Sequence, residues 1–420
     1  MLSLDAGIEA AESIFAINRL GAVVVPISPK TPESELEPIV SRVQPRLFLQ
    51  PGSLEGLPTT GSVHRRLPED DDPSCIIFTS GSEGAPRGVV LSENNWDAAT
   101  RGASQALRLL PGDRWVACLP IHHVGGYSVF VRAAEVGFAV VPMPEFDPQA
   151  VIETVKRTGA TAISLVPTML SRLLEAGWSE PSSLRFVLLG GGSCPETLLH
   201  EALDRKFPIA LSYGLTEACS QVATLPPWDT LGRLRTVGRP LPGVRVRIAD
   251  SPDRPVRHGT PGQIWVSGAT VAKRTLDGAL PLQDGWYGTG DLGSLDDEDF
   301  LTVLGRIDDL ILTGGEKVVP QEVEAALLDH PAVSEACVFG VPDDEWGQRA
   351  VAAVTLRSDA GLVNPADLRA GLKKELMYHK VPRQIVIVGE MPLTGPGKVD
   401  RAALREMLRQ AGVGTEDEPA

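Results

Sequence analysis

The chain has 420 residues, 43% of them hydrophobic, enough for two or more domains, and its formal net charge of −15 argues against nucleic acid, whose phosphates are held by clustered Lys and Arg. Its five cysteines, at 75, 118, 194, 219 and 337, form no CxxC pair, and their odd number fits buried free thiols in a reducing compartment. With no basic leader and no run of about 18 apolar residues, the expectation is a cytoplasmic protein without membrane insertion.

The apolar spacing from Ile8 to Leu20 is helical and Gly21 ends it; Ala22 to Ile27 reads as a short strand, Pro32 to Val43 as a helix and Leu47 to Leu49 as a strand. This alternation builds parallel sheets. A Gly-, Pro-, Arg- and Asp-rich connection, 52–72, leads to CIIFTSGSEGAPRGVVL, residues 75–91. Here Ile76 to Phe78 make a strand, Thr79, Ser80, Gly81, Ser82 and Gly84 offer hydroxyls and bare backbone N–H groups, Arg87 adds a fixed charge, and Val89 to Leu91 return as a second strand. Such a loop suits a polyphosphate; no Gly-Lys-Ser/Thr opens a helix behind it, so it is not a P-loop, and an ordinary Gly/Ser hairpin is the other reading.

Asn94 to Leu109 reads as a helix and Trp115 to Leu119 as a strand, followed by a turn exposing His122 and His123. The two imidazoles lack the Cys or acid cluster of a metal site and otherwise cap the next helix. On that helix Arg132 is either a solvated charge or a carboxylate clamp facing the same pocket as His123. Strands at Ala160 to Val166 and Leu184 to Leu189 flank a helix at Thr168 to Ala176, and the second runs into Gly190, Gly191 and Gly192, where a flat ligand can lie on backbone at the carboxyl end of a sheet. The strand Ile209 to Tyr213 continues into Gly214, Leu215, Thr216 and Glu217. A ring for stacking, a hydroxyl for phosphate and a carboxylate for a hard cation form a coherent set, although alone they read as a core packer and a helix N-terminal charge.

Beyond Pro226 the texture turns to short strands, Val244 to Ile248, Gly262 to Ser267 and Gly285 to Leu292, which mark a β-rich subdomain. In it Thr289-Gly290-Asp291 offers a carboxylate suited to a ribose diol, or an ordinary Asx turn. The texture changes again at Gly305 to Asp309. Leu310 to Leu312, a Gly314-Gly315 turn, a helix from Pro320 to Leu328, strands at Ala336 to Val341 and Ala350 to Leu356, a helix from Pro365 to Leu376 and a strand at Gln384 to Val388 make a small α+β domain. A Gly/Pro loop presenting Lys398 precedes a terminal helix, and the acidic tail from Gly412 is expected to be disordered.

The stretches Thr79 to Gly88, Tyr213 to Glu217, Thr289 to Asp291, Gly305 to Glu324 and Pro392 to Arg401 together resemble the core motifs of the adenylate-forming superfamily of acyl-CoA ligases, peptide-synthetase adenylation domains and luciferases. The resemblance spans nearly the whole chain. It implies an α/β fold: a large N-terminal domain, 1–305, of α/β subdomains plus a β-barrel, and a small C-terminal α+β lid, 306–420, hinged at Asp308. It implies that a carboxylate attacks the α-phosphate of Mg-ATP, giving an acyl-adenylate and pyrophosphate, and that coenzyme A then displaces AMP. By the same resemblance the 79–88 loop with Arg87 holds the β- and γ-phosphates. Gly190 to Gly192, Tyr213 and Gly214 border the adenine, Thr216 meets the α-phosphate, Glu217 holds Mg²⁺, and Asp291 with Arg306 takes the ribose. Lys398 is the catalytic cation of the first half-reaction, and Gly314 and Gly315 replace it when the lid turns, opening a path for the pantetheine arm.

Within the superfamily, SYGLTEACSQVATL, the DDEWGQ stretch at Asp343 to Gln348 and HHVGGYSVFVR are similar to the o-succinylbenzoate-CoA ligases of menaquinone biosynthesis. In that family an Arg nine residues after the motif His helps bind the substrate's acidic groups, and Arg132 stands nine after His123. The resemblance therefore assigns His123, Arg132 and Ser220 to the acyl substrate. Three departures stand out: Glu83 where the family has Thr, Arg87 where it has Lys, and a late start, with Gly21 to Pro29 representing the family's second motif. Another acyl- or aryl-CoA ligase, a carrier-loading adenylation enzyme and a weakly active ligase-like binding protein are the rival expectations.

Overall fold

A computed structural model describes residues 1–53, 71–79, 86–230, 232–357, 360–393 and 399–412. The expectations for Ser80, Gly81, Ser82, Glu83, Gly84 and Lys398, for most of the 52–72 connection and for the tail after Gly412 fall outside these residues.

The centre is a seven-stranded sheet ordered Ala139–Pro142, Arg114–Ala117, Ala162–Leu165, Phe186–Leu189, Ile209–Leu215, Ser220–Leu225, Arg239–Pro240. Its first five strands are parallel, and Ser220–Leu225 is antiparallel to both of its neighbours. Parallel strands need crossovers, and the helices Val124–Val136, Pro148–Thr158, Pro167–Glu175 and Glu196–Asp204 supply them. Their apolar faces and the strands' all-buried residues, such as Phe186 to Leu189, form one continuous core on each side of the sheet. Asp147 caps the Pro148–Thr158 helix by accepting from the Ala150 N–H at 2.8 Å, and Pro148 opens it, so its start is locally encoded.

The predicted hairpin forms as Pro73–Thr79 paired antiparallel with Arg87–Ser92, Thr79 opposite Arg87, inside a four-stranded sheet completed by Arg274–Thr275 and Gly278–Ala279. The N-terminal strands expected at Ala22 to Ile27 and Leu47 to Leu49 are reduced to single bridges, Leu2 to Pro26, Leu2 to Leu49 and Val24 to Cys75. Pro26 has no N–H to extend a ladder. The β-rich part is a six-stranded antiparallel sheet in which Trp286–Leu295 pairs with Leu301–Arg306, and its ladder runs as far as Arg306.

After Arg306 a five-stranded sheet holds Ile311–Thr313, Glu316–Val318, Val333–Asp343, Gly347–Leu356 and Gln384–Ile387, backed by the helices Pro320–Leu328 and Pro365–Glu375 around a separate apolar core. The Arg401–Gln410 helix packs Leu404 and Leu408 with Cys337, Phe339 and Met391 on another. Five free cysteines are present. Among the described residues no helix is long and apolar enough to cross a membrane.

Candidate active site

The Ile209–Leu215 strand carries Tyr213 and Gly214 toward the edge of the parallel sheet, and a short 3-10 turn, Thr216–Ala218, follows. The chain then reverses through Cys219 and Ser220, both at positive φ (54° and 91°), a costly conformation for residues with a β-carbon. The reversal is tight enough that a β-carbon on Gly214 would collide with the Ser220 carbonyl group and lie 3.1 Å from Gln221 Cα, so only glycine fits there. A bulge between Tyr213 and Gly214 completes the bend, which turns Thr216 and Glu217 out of the ladder beside the next strand.

Tyr213 reaches the β-rich sheet. Its hydroxyl donates to Asp291 Oδ2 at 2.5 Å, while Arg306 Nη1 donates to Asp291 Oδ1 at 3.1 Å. Asp291 and Arg306 are opposite one another in the ladder, which makes their ion pair a product of strand register. The turn before Asp291 is fixed by Thr289, whose hydroxyl donates to the Ile264 carbonyl at 2.9 Å and accepts the Asp291 N–H at 3.0 Å. Burial first, then the negative charge of Asp291, raises the Tyr213 pKa well above its ordinary value, so the phenol remains a donor. Gly190 also belongs to this edge: its β-carbon position lies 3.0 Å from the Ser212 carbonyl oxygen, beside Tyr213.

Glu217 is 8% exposed and ion-paired with Arg87, which comes from the hairpin 130 residues earlier. Tyr287 joins both, donating its hydroxyl to Glu217 Oε1 at 3.2 Å and accepting from Arg87 Nη2 at 3.1 Å. Burial alone would lower the Arg87 pKa, but the Tyr287 hydroxyl and then the Glu217 charge outweigh it and raise it. Thr79 sits at the foot of the same hairpin, its hydroxyl donating to the Arg87 carbonyl at 3.4 Å. Tyr287 is the residue that sequence reasoning missed. It stands four before Asp291 on one strand, and positions two and four apart share a face, so the signal was present. Among the described residues no group of three or more His, Cys, Asp or Glu could hold a metal alone. A single buried carboxylate beside Arg87 instead suits a hard cation that brings its other oxygen ligands with it.

Arg132 lies on the Val124–Val136 helix and is only 1% exposed. Its Nη2 donates to Ser220 Oγ at 3.4 Å, and its guanidinium sits 6.0 Å from the centroid of the Trp115 ring. Burial lowers its pKa to about 10, and the charge of Glu135, one turn on along the same helix, offsets this only in part. His123 is the residue before that helix, its ring centroid 4.3 Å from that of His122, and its carbonyl accepts from Gly126 and Tyr127. Burial lowers the His122 pKa.

The remaining predicted residues lie on the small sheet and its entry. Asp308 is 3.5 Å from Arg306, directly after the strand that pairs with Asp291. Gly314 and Gly315 are the two central residues of a hairpin turn closed by Thr313 and Glu316. On either side of residues 394–398, Leu393 is bridged to Val399 and the Asp400 N–H donates to the Pro392 carbonyl at 2.8 Å.

A family model described as AMP-binding enzyme matches residues 1–275, and one described as AMP-binding enzyme C-terminal domain matches 322–398. The chain is 38% identical over 341 residues to a 2-succinylbenzoate–CoA ligase of Bacillus cytotoxicus, and 39% identical over 345 residues to that of Bacillus velezensis. These alignments cover 80% and 81% of this chain and 70% of each relative. The fold superposes on o-succinylbenzoate CoA synthetase from Bacillus subtilis in complex with the acyl-adenylate OSB-AMP, with a TM-score of 0.86, 31% identity, and coverage of 96% of this chain and 87% of that one. It also superposes on ATP-bound MatB from Rhodopseudomonas palustris, with a TM-score of 0.88, 25% identity, and coverage of 98% and 88%. The chain belongs to the AMP-binding enzymes, the adenylate-forming superfamily, and has their α/β fold with a C-terminal α+β part.

Proposed function

We propose that this chain is an AMP-forming acid–thiol ligase that converts o-succinylbenzoate, ATP and coenzyme A into o-succinylbenzoyl-CoA, AMP and pyrophosphate, and that it works in the cytoplasm. Arg132 carries the reading. A fully buried guanidinium held by one hydroxyl and one ring face calls for an anion, and a dicarboxylate offers one carboxylate to anchor while the other reacts. The relatives named above act on the same acid by their names, and the related Bacillus subtilis enzyme was solved with ATP and magnesium.

In this reading Asp291 takes the ribose hydroxyls, pre-oriented by Arg306 and Tyr213, and Tyr213 lies along the adenine beside Gly190 to Gly192. Thr79 to Gly88, with Ser80, Gly81, Ser82 and Gly84, holds the triphosphate tail through backbone N–H groups and Arg87, and Thr216 meets the α-phosphate. Glu217 and the phosphates would hold Mg²⁺, which neutralises charge on the phosphate oxygens. Lys398 offsets the charge that builds as carboxylate meets phosphate, while His123 and Ser220 border the acid. The division near residue 305 makes the C-terminal part a lid pivoting at Asp308, which then presents Gly314 and Gly315 to the thiol.

The test is pyrophosphate release by the purified protein with Mg-ATP and a panel of acids, followed by thioester formation on adding coenzyme A. Turnover of o-succinylbenzoate above benzoate and octanoate is expected. Release with benzoate or octanoate alone overturns the substrate, and silence with every acid favours a ligase-like binding protein.

A further inference from the structure

The DDEWGQ stretch has no place in the assignments above, yet it is built against the glycine turn. Gly314 and Gly315 both have positive φ (57° and 83°), as a type I′ hairpin turn requires. A β-carbon on Gly314 would lie 2.8 Å from Trp346 Cζ3 and closer still to Cε3, so the six-membered ring of the indole is pressed on this glycine. The Gly314 N–H donates to the Trp346 carbonyl at 2.9 Å, Thr313 pairs with Gly347, and the Leu312 N–H donates to Gln348 Oε1 at 2.9 Å. Four consecutive contacts thus fasten one side of the turn to 346–348.

Trp346 is itself held from behind. Asp343 Oδ1 accepts the N–H groups of Glu345 at 3.1 Å and Trp346 at 2.9 Å, forming an Asx-type turn, and the Arg383 guanidinium lies 5.4 Å from the centre of the indole. The indole N–H is buried and makes no hydrogen bond among the described residues, so the ring contributes shape. Gly315 contrasts with Gly314: nothing lies within 4 Å of its β-carbon position, and the turn is open on that side. One glycine is braced and the other is bare.

We propose that Trp346 is a positioning residue for the thioester-forming half-reaction, its ring and carbonyl fixing the Gly314–Gly315 turn in the shape that admits the arm of coenzyme A. This rests on the reading that the turn borders the thiol's path. Trp346 touches neither nucleotide nor acid in that reading, so its effect is confined to the second half-reaction.

The experiment measures both half-reactions in full-length Trp346→Ala, Trp346→Phe and Gly315→Asn proteins, with pyrophosphate release for the first and thioester formation at varied coenzyme A for the second. In Trp346→Ala, pyrophosphate release stays within about twofold while the KM for coenzyme A rises about tenfold or more, the size expected when a reacting group is misplaced by a fraction of an ångström. Trp346→Phe, which keeps a flat ring, stays near the parent in both. Thioester formation unchanged in Trp346→Ala overturns the proposal, and so does equal loss of both half-reactions. Gly315→Asn separates the two readings: asparagine tolerates positive φ and meets no lid atom, so its side chain acts only on what approaches the turn. If it leaves coenzyme A use untouched, the path reading fails; if it impairs thioester formation while Trp346→Ala does not, only the role of Trp346 fails.

Discussion

Arg87 and Glu217, 130 residues apart in the chain, are joined as an ion pair with Tyr287 bridging them. The pair sets the charge assigned to the triphosphate against the carboxylate assigned to magnesium, so Mg-ATP must separate them to bind both. In Arg87→Met, Glu217 is released while a phosphate contact is lost. The Mg²⁺ concentration for half-maximal ATP binding, read by calorimetry, is expected to fall while the KM for ATP rises about tenfold. Glu217→Gln keeps the shape, removes the charge and lowers adenylation by about 10²-fold or more. An unchanged Mg²⁺ dependence in Arg87→Met would mean that the two residues do not compete.

The ribose assignment depends on a carboxylate whose two oxygens are held separately by Tyr213 and Arg306. Asp291→Asn loses the charge and one acceptor, and a rise in the KM for ATP of about tenfold to a hundredfold follows from removing charge-assisted hydrogen bonds. The sharper measurement uses ATP lacking the ribose hydroxyls. The parent should discriminate strongly against it and Asp291→Asn hardly at all. Equal discrimination by both proteins would place the ribose elsewhere.

How far this site was legible in the sequence differs from residue to residue. The hairpin carrying Thr79 and Arg87 was readable because an apolar run broken by small residues and then resumed is a local signal, and the Pro320–Leu328 helix because Pro marks its first position. The Asp291–Arg306 pairing was not, since register depends on which residues of two strands meet. Nor was the burial of Arg132: its helix has an apolar exterior on several sides, but only the strands beneath it decide that the guanidinium faces Trp115 and Ser220. Trp346 sits in a recognisable turn sequence, but its contact with Gly314 joins segments from separate strands of the small sheet.

Arg132 also makes a stability prediction. Burial lowers its pKa to about 10, well below the ordinary guanidinium value, so the folded protein holds this charge at a cost of about 3 kcal/mol near neutral pH, by the conversion between pKa and free energy. The sign is that of a base with a lowered folded pKa: the cost is full below about 10 and relaxes as pH rises above it toward the ordinary guanidinium value. Arg132→Met removes the charge while keeping a long apolar stem, and should melt at a higher temperature than the parent while losing o-succinylbenzoate use. Adding o-succinylbenzoate should raise the melting temperature of the parent and not of the variant. A variant less stable than the parent would show that Arg132 already has its counter-charge.

Arg401 opens the last helix and ties it to the small sheet. Its Nη2 is 2.8 Å from Glu324 Oε1, its Nη1 donates to the Val338 carbonyl at 2.7 Å, and Glu324 in turn accepts the Val338 N–H at 2.7 Å. Breaking such a pair leaves a buried carboxylate uncompensated, so Arg401→Gln should destabilise the protein by about 3 kcal/mol. Replacing both partners, Arg401→Met with Glu324→Leu, should recover much of that loss. Melting curves of the two variants decide it: a double variant no more stable than the single one would mean that the pair contributes through packing alone.

His122 gives a pH signature. Burial outweighs the nearby Asp5 charge and lowers its folded pKa below the ordinary imidazole value of about 6.5, so the unfolded chain takes up a proton that the folded one refuses. The stability this represents is present above 6.5 and is lost as pH falls through that value toward the folded pKa. In His122→Gln the contribution disappears. Melting temperatures of parent and variant measured from pH 8 to pH 5 should therefore run parallel above about 6.5 and converge or cross below it, the parent falling more steeply. Curves that stay parallel throughout would show that His122 accepts its proton as readily in the folded protein as in the unfolded chain.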